Sequence, residues 1–437
     1  MLDRKAAERI ERMNKETDRL TAVRKRQFMR IDLLEYIRHQ RISVWWNSDD
    51  RNAKLSAAFT NLVLSLIDGK CNDAIRYRKE IADSCTPWFL CCKSFLRLAY
   101  IQYDCYCEAT GRRMLEPSVI LTALGVAKHK SSDFFASIDR RLCRSKIAAK
   151  AYSAFLAFKN AEEMYYNLPV KNCAVCATMG AGKSTFINAL LGCDVLPARN
   201  EATTAKITSV YDRDGQTRMS GFFQGRKGAI GGICDKVTLK VLDEWNNNKE
   251  VMHLFLSGDL DGIGNNGMVV AVHDTPGTNN SSDHSHHHIT MKFLSGNQID
   301  LLLFVLNAEH LGTTDENALL CEVYRSVVRK HGLPVLFILN KKDSVDPDKE
   351  DIDKMVFDVS KQLEEIGYDS PTIIPVASKT ARLLKMSAKG LAPQMSPKER
   401  HELAMILDGV GDAQKLLNTT GLPCVEEYLE TFLQSKE

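Results

Sequence analysis

The sequence predicts an α/β domain with a mostly parallel sheet and helices on both faces, preceded by an all-α helical domain. The first 165 residues contain only three glycines and two prolines, which favours long helices. From about residue 168, short apolar runs alternate with helical stretches and glycine turns, a pattern typical of parallel sheets. We therefore expect a helical domain over residues 1–165 and an α/β domain over 166–437.

Composition indicates an ordinary soluble globular protein. Of 437 residues, 44% are hydrophobic and 26% are charged, which argues against disorder, collagen and a disulfide miniprotein. No uninterrupted apolar run reaches the length of about 18 residues needed to span a bilayer, and the charged start does not resemble a secretory signal. Thirteen scattered cysteines, an odd number, indicate reduced thiols. These features predict a cytoplasmic protein.

Charge is distributed unevenly along the chain. Residues 1–165 hold 30 Lys and Arg against 20 Asp and Glu, a balance of +10, whereas the remainder holds 28 against 35, a balance of −7. Such a basic region is either a solvated helical surface or a face for an anionic partner. An anionic membrane surface is therefore one expected partner, which would make the protein peripheral to the membrane; no specific nucleic acid is expected.

Within the first 165 residues, three stretches have helical character. Ala6, Ile10, Met13 and Leu20 follow a three-four spacing, so one face of a helix can be buried. Residues 55–66 are apolar enough for a buried helix, and residues 88–106 are rich in aromatic residues and cysteine. We expect these stretches to form a helical bundle.

Six apolar runs predict the strands of the second domain. They are Cys173–Ala177, Ile207–Tyr211, Met268–His273, Leu301–Leu306, Pro334–Leu339 and Thr372–Val376. Short runs of this kind, separated by helical stretches, are typical of buried parallel strands. Polar motifs stand at the ends of four of them, and these motifs carry the functional prediction.

The first motif is a glycine-rich loop, Ala177-Thr-Met-Gly-Ala-Gly-Lys-Ser-Thr185, between a strand and a helix predicted over 185–191. Glycine lets backbone amides approach phosphate oxygens, and the helix N-terminus favours their negative charge. Lys183 can neutralise the β- and γ-phosphates, and the Ser184 hydroxyl can bind Mg²⁺. The residues predicted to bind the phosphates are Met179, Gly180, Ala181, Gly182, Lys183, Ser184 and Thr185. Ala177 stands where the pattern usually has glycine.

The second motif, Asp274-Thr-Pro-Gly277, ends a buried strand 91 residues after Lys183. Asp274 can hold Mg²⁺ through water, and the Gly277 amide can contact the γ-phosphate. A threonine between the two motifs is also expected to reach the metal. The segment Pro197–Ala205 offers both Thr203 and Thr204, and residue chemistry alone leaves the choice open.

The third motif, Asn340-Lys-Lys-Asp343, again ends a strand. Asp343 can accept hydrogen bonds from the N1 and N2 donors of guanine, which adenine lacks. The Lys341 stem can lie along the base, and Asn340 can brace the loop.

The fourth motif is Pro375-Val-Ala-Ser-Lys379. Its Ser378 amide can meet guanine O6, and Lys379 can cover the base. Four motifs in this order predict a guanine-nucleotide site with Mg²⁺ and GTP or GDP as ligands.

These motifs resemble the dynamin superfamily, most closely bacterial dynamin-like proteins. The resemblance covers about residues 168–433 and includes the runs 180–192, 201–208, 274–281, 306–312 and 421–433. It implies a P-loop GTPase fold, and it selects Thr204 as the threonine that binds magnesium and positions water. It also implies GTP hydrolysis stimulated by homodimerisation through the GTPase domain, and a helical region that acts on membranes or as a scaffold.

Two departures from the family pattern affect these expectations. Met179 and Gly180 replace polar residues of the loop, so neither side chain can orient water or hold a charge-compensating cation. The sequence runs to Glu437, four residues past the closing helix, so we expect a protein partner to supply the stalk helices of the family. The alternative to a membrane-coupled GTPase is a regulatory GTP switch that recruits a protein partner.

Two other clusters have simpler interpretations. His284, His286, His287 and His288 could bind a metal, but they fall in a switch segment where such binding is more often adventitious. Cys173 and Cys176 lie three apart on a strand, so they should point to opposite faces of the sheet and not form a redox or zinc pair.

Overall fold

The structure is a computed structural model, and it divides into two compact units. One unit comprises residues 21–167 and the other comprises residues 1–20 together with 168–437. The structure describes residues 2–39, 50–84, 89–126, 134–135, 138, 146–196, 206–264, 267–277, 285–296, 299–346, 348, 351–408 and 412–434.

The N-terminal region is helical, as predicted. Its helices are α1 (Leu2–His39), α2 (Asp50–Asp68), α3 (Cys71–Ser84), α4 (Phe89–Thr110), α5 (Pro117–Leu124) and α6 (Lys146–Asn167). The stretch predicted over 55–66 lies inside α2. The aromatic stretch 88–106 corresponds to α4, and Trp88 itself lies outside the described residues.

Aromatic side chains form the interior of this helical unit. The rings of Phe59 on α2 and Phe95 on α4 meet edge to face with centroids 5.7 Å apart, and both are fully buried. Tyr103 is also buried, and its hydroxyl accepts a hydrogen bond from the Leu115 amide at 2.8 Å. These side chains of α4 therefore pack inside the unit, where burial of each stabilises it by about 1.5–3 kcal/mol. Among the described residues, no helix combines the length and apolar character needed to cross a membrane.

The second unit contains a sheet of nine strands, which confirms the predicted fold class. The strands are β1 (Val170–Ala177), β2 (Ile207–Asp212), β3 (Ser220–Gly225), β4 (Ile230–Cys234), β5 (Val251–Gly258), β6 (Val269–Asp274), β7 (Leu301–Asn307), β8 (Val335–Asn340) and β9 (Thr372–Val376). Their order is β4-β3-β5-β2-β6-β1-β7-β8-β9. The five strands from β6 to β9 are parallel, so their carboxyl ends lie along one edge.

Each of the six predicted strands is present, but β3, β4 and β5 were not predicted. These three extend the sheet beyond β2: β3 is antiparallel to both of its neighbours, β4 and β5, while β5 is parallel to β2. Glycine interrupts the apolar pattern of β3 and β4. In β4 the glycines make room for an aromatic ring: a Cβ on Gly232 would lie 2.4 Å from the Phe223 ring. Glycine therefore allows the ring to pack closely on the strand here, whereas in the sequence alone these glycines are typical of turns.

Helices cover both faces of the sheet. They are α7 (Lys183–Leu191), α8 (Leu239–Asn247), α9 (Ser285–Gly296), α10 (Thr314–Val323, continued by a π-helical turn Tyr324–Val328 and by Arg329–His331), α11 (Ile352–Ile366), α12 (Ser378–Ala388), α13 (Pro397–Leu407), α14 (Ala413–Thr419) and α15 (Leu422–Gln434). Two apolar cores result, one on each face. Cys173 belongs to one core and Cys176 to the other, so the two thiols lie on opposite faces.

Two cations on α12 and a third at its C-cap, Lys389, connect this helix to distant parts of the unit. Arg382 pairs with Asp194 and Glu399, Lys385 pairs with Glu426 on α15, and Lys389 donates a 2.9 Å hydrogen bond to the Leu191 carbonyl at the end of α7. Lys385 and Glu426 are both buried. This buried pair holds α15 against the helix that begins in the predicted guanine motif.

Replacing Lys385 tests how much this anchor contributes. The Lys385→Met variant leaves the Glu426 carboxylate buried without its cation, which should lower the free energy of unfolding by about 3–5 kcal/mol. Differential scanning calorimetry of the full chain measures the effect as a lower unfolding temperature. The double variant Lys385→Met/Glu426→Met removes both charges and should recover most of the loss. A single variant that unfolds at the wild-type temperature would show that the pair contributes little.

Candidate nucleotide-binding site

The glycine-rich loop connects β1 to α7. Residues 178–182 form the turn, and α7 begins at Lys183, two residues before the predicted start. Gly180 and Gly182 have positive φ angles of 80° and 85°, which glycine adopts without strain. The loop therefore ends at a helix N-terminus, where amide groups face an anion.

The second motif lies beside this loop because β6 pairs with β1. Asp274 is in register with Val175, and its carboxylate accepts a hydrogen bond from the Lys183 ammonium through Oδ1. Asp274 is fully buried and Lys183 is 8% exposed. Burial raises the pKa of Asp274, and the Lys183 ammonium opposes that rise. The structure thus brings together two of the residues predicted to bind phosphate and metal.

Hydrogen bonds hold the turn that follows Asp274 against the loop. The Thr275 hydroxyl donates to the Val175 carbonyl at 2.7 Å, and the Thr290 hydroxyl of α9 donates to the Pro276 carbonyl at 2.8 Å. Gly277 faces the backbone of Met179, since a Cβ at this glycine would lie 3.6 Å from the Met179 Cα. The Gly277 backbone is therefore close to the phosphate loop.

The Asn340 side chain links three parts of the site. Its Nδ2 donates to the Ala181 carbonyl at 2.9 Å and to the Gly182 carbonyl at 3.5 Å. Its Oδ1 accepts a hydrogen bond from the Ser378 amide at 3.3 Å. A single buried carboxamide therefore joins the phosphate loop, the end of β8 and the start of α12.

The predicted guanine motifs line a cleft of about 840 Å³ together with the end of the phosphate loop. Lys341, Asp343 and Lys379 all face this cleft, and so do Gly182 and Thr185. Asp343 accepts a 2.7 Å hydrogen bond from the Thr380 hydroxyl through Oδ2. Ser378 is buried, and its backbone amide donates a hydrogen bond to Asn340 Oδ1.

Sequence reasoning missed three residues at this end of the cleft. Thr380 directly follows Lys379, so its position on the first turn of α12 was the available clue. Glu309 binds Lys341 at 2.6 Å and Glu402 binds Lys379 at 2.5 Å, and both come from distant elements. No motif indicated either glutamate.

The residues predicted to bind magnesium can be compared with the oxygen ligands that Mg²⁺ prefers. Asp274 Oδ1 accepts from Lys183, and its other oxygen, Oδ2, is buried and has no hydrogen-bond partner among the described residues. Such an acceptor suits a water bound to a cation. Ser184 lies next to Lys183 on the first turn of α7, so Ser184 and Asp274 fit a magnesium ion with a nucleotide. Thr203 and Thr204 lie outside the described residues, so the choice between them stays a prediction.

The histidine segment does not form a metal cluster among the residues that the structure describes. His286 is buried, His287 contacts Glu322 at 3.1 Å, and His288 is exposed on α9. His284 lies outside the described residues. The one group with metal-binding spacing in the described part of the chain is Asp212, Asp214 and Asp259, away from the histidines.

The fold and site define a P-loop nucleotide-binding protein, because a glycine-rich loop, a lysine at a helix start and an aspartate on the adjacent strand end occur together. The comparison with protein families is more specific. Residues 173–342 match the model of the Dynamin family. The match confirms the predicted resemblance of this part of the chain to the dynamin superfamily.

Similar solved structures are more remote. Era from Aquifex aeolicus is 19% identical with a TM-score of 0.30, over 51% of this chain and 56% of Era. A chain of an oligomerised bacterial dynamin pair is 16% identical with a TM-score of 0.39, over 89% of this chain and 61% of that one. Toc33 from Arabidopsis thaliana is 13% identical with a TM-score of 0.31, over 52% of this chain and 76% of Toc33. This chain thus spans between half and two thirds of Era and of the bacterial dynamin chain. No curated protein sequence matches significantly.

Two glycine variants test the link through Asn340. Both glycines have positive φ, so Gly180→Ala and Gly182→Ala should each lose about 1–2 kcal/mol of stability. A Cβ at residue 182 would also lie 2.4 Å from Asn340 Nδ2, whereas one at residue 180 meets nothing within 4 Å. Gly182→Ala should therefore lose about 1–3 kcal/mol more, since the Asn340 amide must leave its carbonyl partners. Urea denaturation without nucleotide measures both, and equal losses would contradict the link.

Proposed function

We propose that this protein binds GTP and hydrolyses it to GDP and phosphate. The observation that supports this most is the shared cleft: the phosphate loop and the predicted guanine motifs line one cavity, and Asn340 joins them. The family match over residues 173–342 supports the same assignment. A nucleotide that reaches from Thr185 to Asp343 would contact both ends.

Guanine recognition is assigned to Asp343. Its carboxylate faces the cleft and is oriented by Thr380, so it can accept two hydrogen bonds from the guanine N1 and N2 donors. An adenine base would leave the carboxylate without these donors, which corresponds to about 2–4 kcal/mol, or roughly 10²- to 10³-fold in preference. Lys341 and Lys379 would cover the two faces of the base. The Ser378 amide donates to Asn340 Oδ1 here, so it would meet guanine O6 only by exchanging that partner.

Hydrolysis is assigned to the phosphate end of the cleft. Lys183 would move from Asp274 to the β- and γ-phosphates, where its charge neutralises theirs. Ser184 and Thr204 would ligate Mg²⁺, and Asp274 would hold a water of the ion through its buried oxygen. Bound there, the ion would neutralise charge on the phosphate oxygens. The Thr204 carbonyl and the Gly277 amide would position the attacking water and the γ-phosphate.

Assembly is the second part of the proposal. Met179 is 48% exposed and Gly180 has no side chain, so this chain's loop offers no polar group at the phosphates there. A second copy bound through the GTPase domain would complete the site. Residues 1–165 would serve as a helical domain for assembly, docking on a protein partner or on an anionic membrane surface, given their balance of +10.

The nucleotide assignment is tested by calorimetry with GDP, GTP and ATP. GDP and GTP should bind at least about tenfold more tightly than ATP, because only guanine satisfies both acceptor sites of Asp343. In Asp343→Asn the amide replaces a carboxylate oxygen, so the preference should fall, while Asp353→Asn on the exposed first turn of α11 serves as control. Equal affinity of the wild-type protein for ATP and GTP would contradict guanine recognition.

The assembly proposal is tested by measuring GTP turnover per molecule over a hundredfold range of protein concentration. Turnover should rise with concentration, since a contact in trans contributes about 10³- to 10⁵-fold in other GTPases. Light scattering with a GTP transition-state mimic should show a dimer over the same range. The Lys183→Ala variant, which lacks the phosphate-binding cation, should be inactive at every concentration. A specific activity that is flat on dilution would count against completion of the site by a partner copy.

A further inference from the structure

Two lysines lie at the end of the cleft that is assigned to the base, and each forms an ion pair with a glutamate from a different element. Lys341 Nζ lies 2.6 Å from Glu309 Oε2, and Lys379 Nζ lies 2.5 Å from Glu402 Oε1. Lys341, Lys379 and Glu402 line the same cleft as Asp343. The ammonium groups of the two lysines assigned to the faces of the base are therefore each held by an ion pair.

Glu309 reaches Lys341 because their strands are neighbours. It lies in the 3-10 turn Ala308–His310 that directly follows β7, and β7 pairs with β8 up to the register Asn307–Asn340. Lys341 has a positive φ of 66°, which turns the chain at the end of β8. The Lys341 hydrogen bond holds the pKa of Glu309 below its ordinary value, so this carboxylate is ionised at neutral pH.

Glu402 reaches Lys379 across the pair of helices α12 and α13. Two ion pairs join these helices, Lys379 with Glu402 and Arg382 with Glu399. The two cations are three residues apart on α12 and the two glutamates are three residues apart on α13, and the earlier cation pairs with the later glutamate. The second pair is the more buried one. Burial alone would raise the pKa of Glu399, but hydrogen bonds from Arg382 and Ser396 lower it to about 2. The start of α13 is thus fixed without Glu402, which leaves Glu402 to act on Lys379.

We infer that Glu309 and Glu402 are positioning residues that hold the Lys341 and Lys379 stems apart as two walls of a preformed slot for the base, and thereby set the lifetime of the bound guanine nucleotide. This inference rests on the proposed function. A lysine side chain loses much conformational freedom when it is fixed, and a site that is fixed beforehand does not incur that loss on binding. The slot also makes α13 part of the nucleotide site.

The two glutamates are tested by the release of a fluorescent GDP analogue from the full chain in stopped flow. Glu309→Gln and Glu402→Gln keep the shape of the side chain and remove its charge. Each should speed release roughly two- to fivefold, the effect of one partly exposed ion pair. The double variant should multiply the two factors, since the pairs belong to separate elements. Glu365→Gln, an exposed carboxylate on α11, should release GDP at the wild-type rate.

Two further measurements distinguish positioning from a general loss of structure. Competition by inorganic pyrophosphate, which lacks the base, should be the same in wild type and variants. Added NaCl should speed release from the wild-type protein more than from the double variant, because salt weakens the two ion pairs. The salt measurement on wild type does not depend on the folding of any variant.

Each outcome gives a decision. If the wild-type protein does not prefer GDP to ADP, the proposed function and this inference both fail. If it prefers GDP but the double variant releases GDP at the wild-type rate, the inference alone is overturned. If the variants also weaken pyrophosphate binding to the same extent, the glutamates act on the whole structure and the inference is again overturned.

Discussion

The Asn340 carboxamide is the contact on which the rest of the site depends. It is 2% exposed, and it satisfies two loop carbonyls with its amide group and the Ser378 amide with its oxygen. The Gly182 carbonyl also accepts from the Phe186 amide, whereas a buried backbone group that loses its partner costs about 1–3 kcal/mol. Because one side chain joins all three, the phosphate end and the base end of the cleft keep a fixed separation. In the proposed function, this separation helps to decide whether one nucleotide can contact both ends of the cleft.

The sheet makes this contact possible. Strands β6, β1, β7, β8 and β9 are parallel, so their carboxyl ends lie along one edge. Asp274, Asn340 and Ser378 stand at or just past the ends of three of these strands. The strands are buried on both faces and consist mainly of aliphatic and aromatic residues, so each strand is held by packing on two cores. Parallel sheets covered on both faces are rigid in this way, and their polar groups are confined to the loops. Position is therefore set by apolar packing, and chemistry is set by the residues just past each strand.

Sequence reasoning recovered the parts of this arrangement that are local. An apolar run followed by Gly-Lys-Ser, by Asp274 or by Asn340 can be read along the chain, because strand, turn and functional residue are adjacent. Strands β3 and β4 were missed because glycine interrupts their apolar runs. Gly231 and Gly232 pack against the Phe223 ring, so their role depends on a residue in another strand. Thr380 was the nearest of the missed residues, and its hydroxyl meets Asp343 only after α12 forms.

Contacts between distant elements could not be predicted at all. Glu309 is 32 residues from Lys341, and the helix pair that aligns Glu402 with Lys379 depends on the Arg382–Glu399 contact and the capping box at Ser396. A glutamate on an exposed helix face gives no sign in sequence of the cation that it will meet. The motif around Lys183 predicts a role at the phosphates, but it does not predict the ion pair with Asp274.

The contact between Lys183 and Asp274 has a consequence for binding. Asp274 is fully buried, so its carboxylate needs a cation nearby to remain ionised, and burial alone raises its pKa. In the structure that cation is Lys183. A nucleotide that draws the ammonium to its phosphates removes the partner of Asp274, and a buried carboxylate without a cation is strongly unfavourable. In the proposed function, binding of the phosphates and binding of a divalent cation near Asp274 would therefore be coupled, since the cation would replace the charge that the lysine takes away.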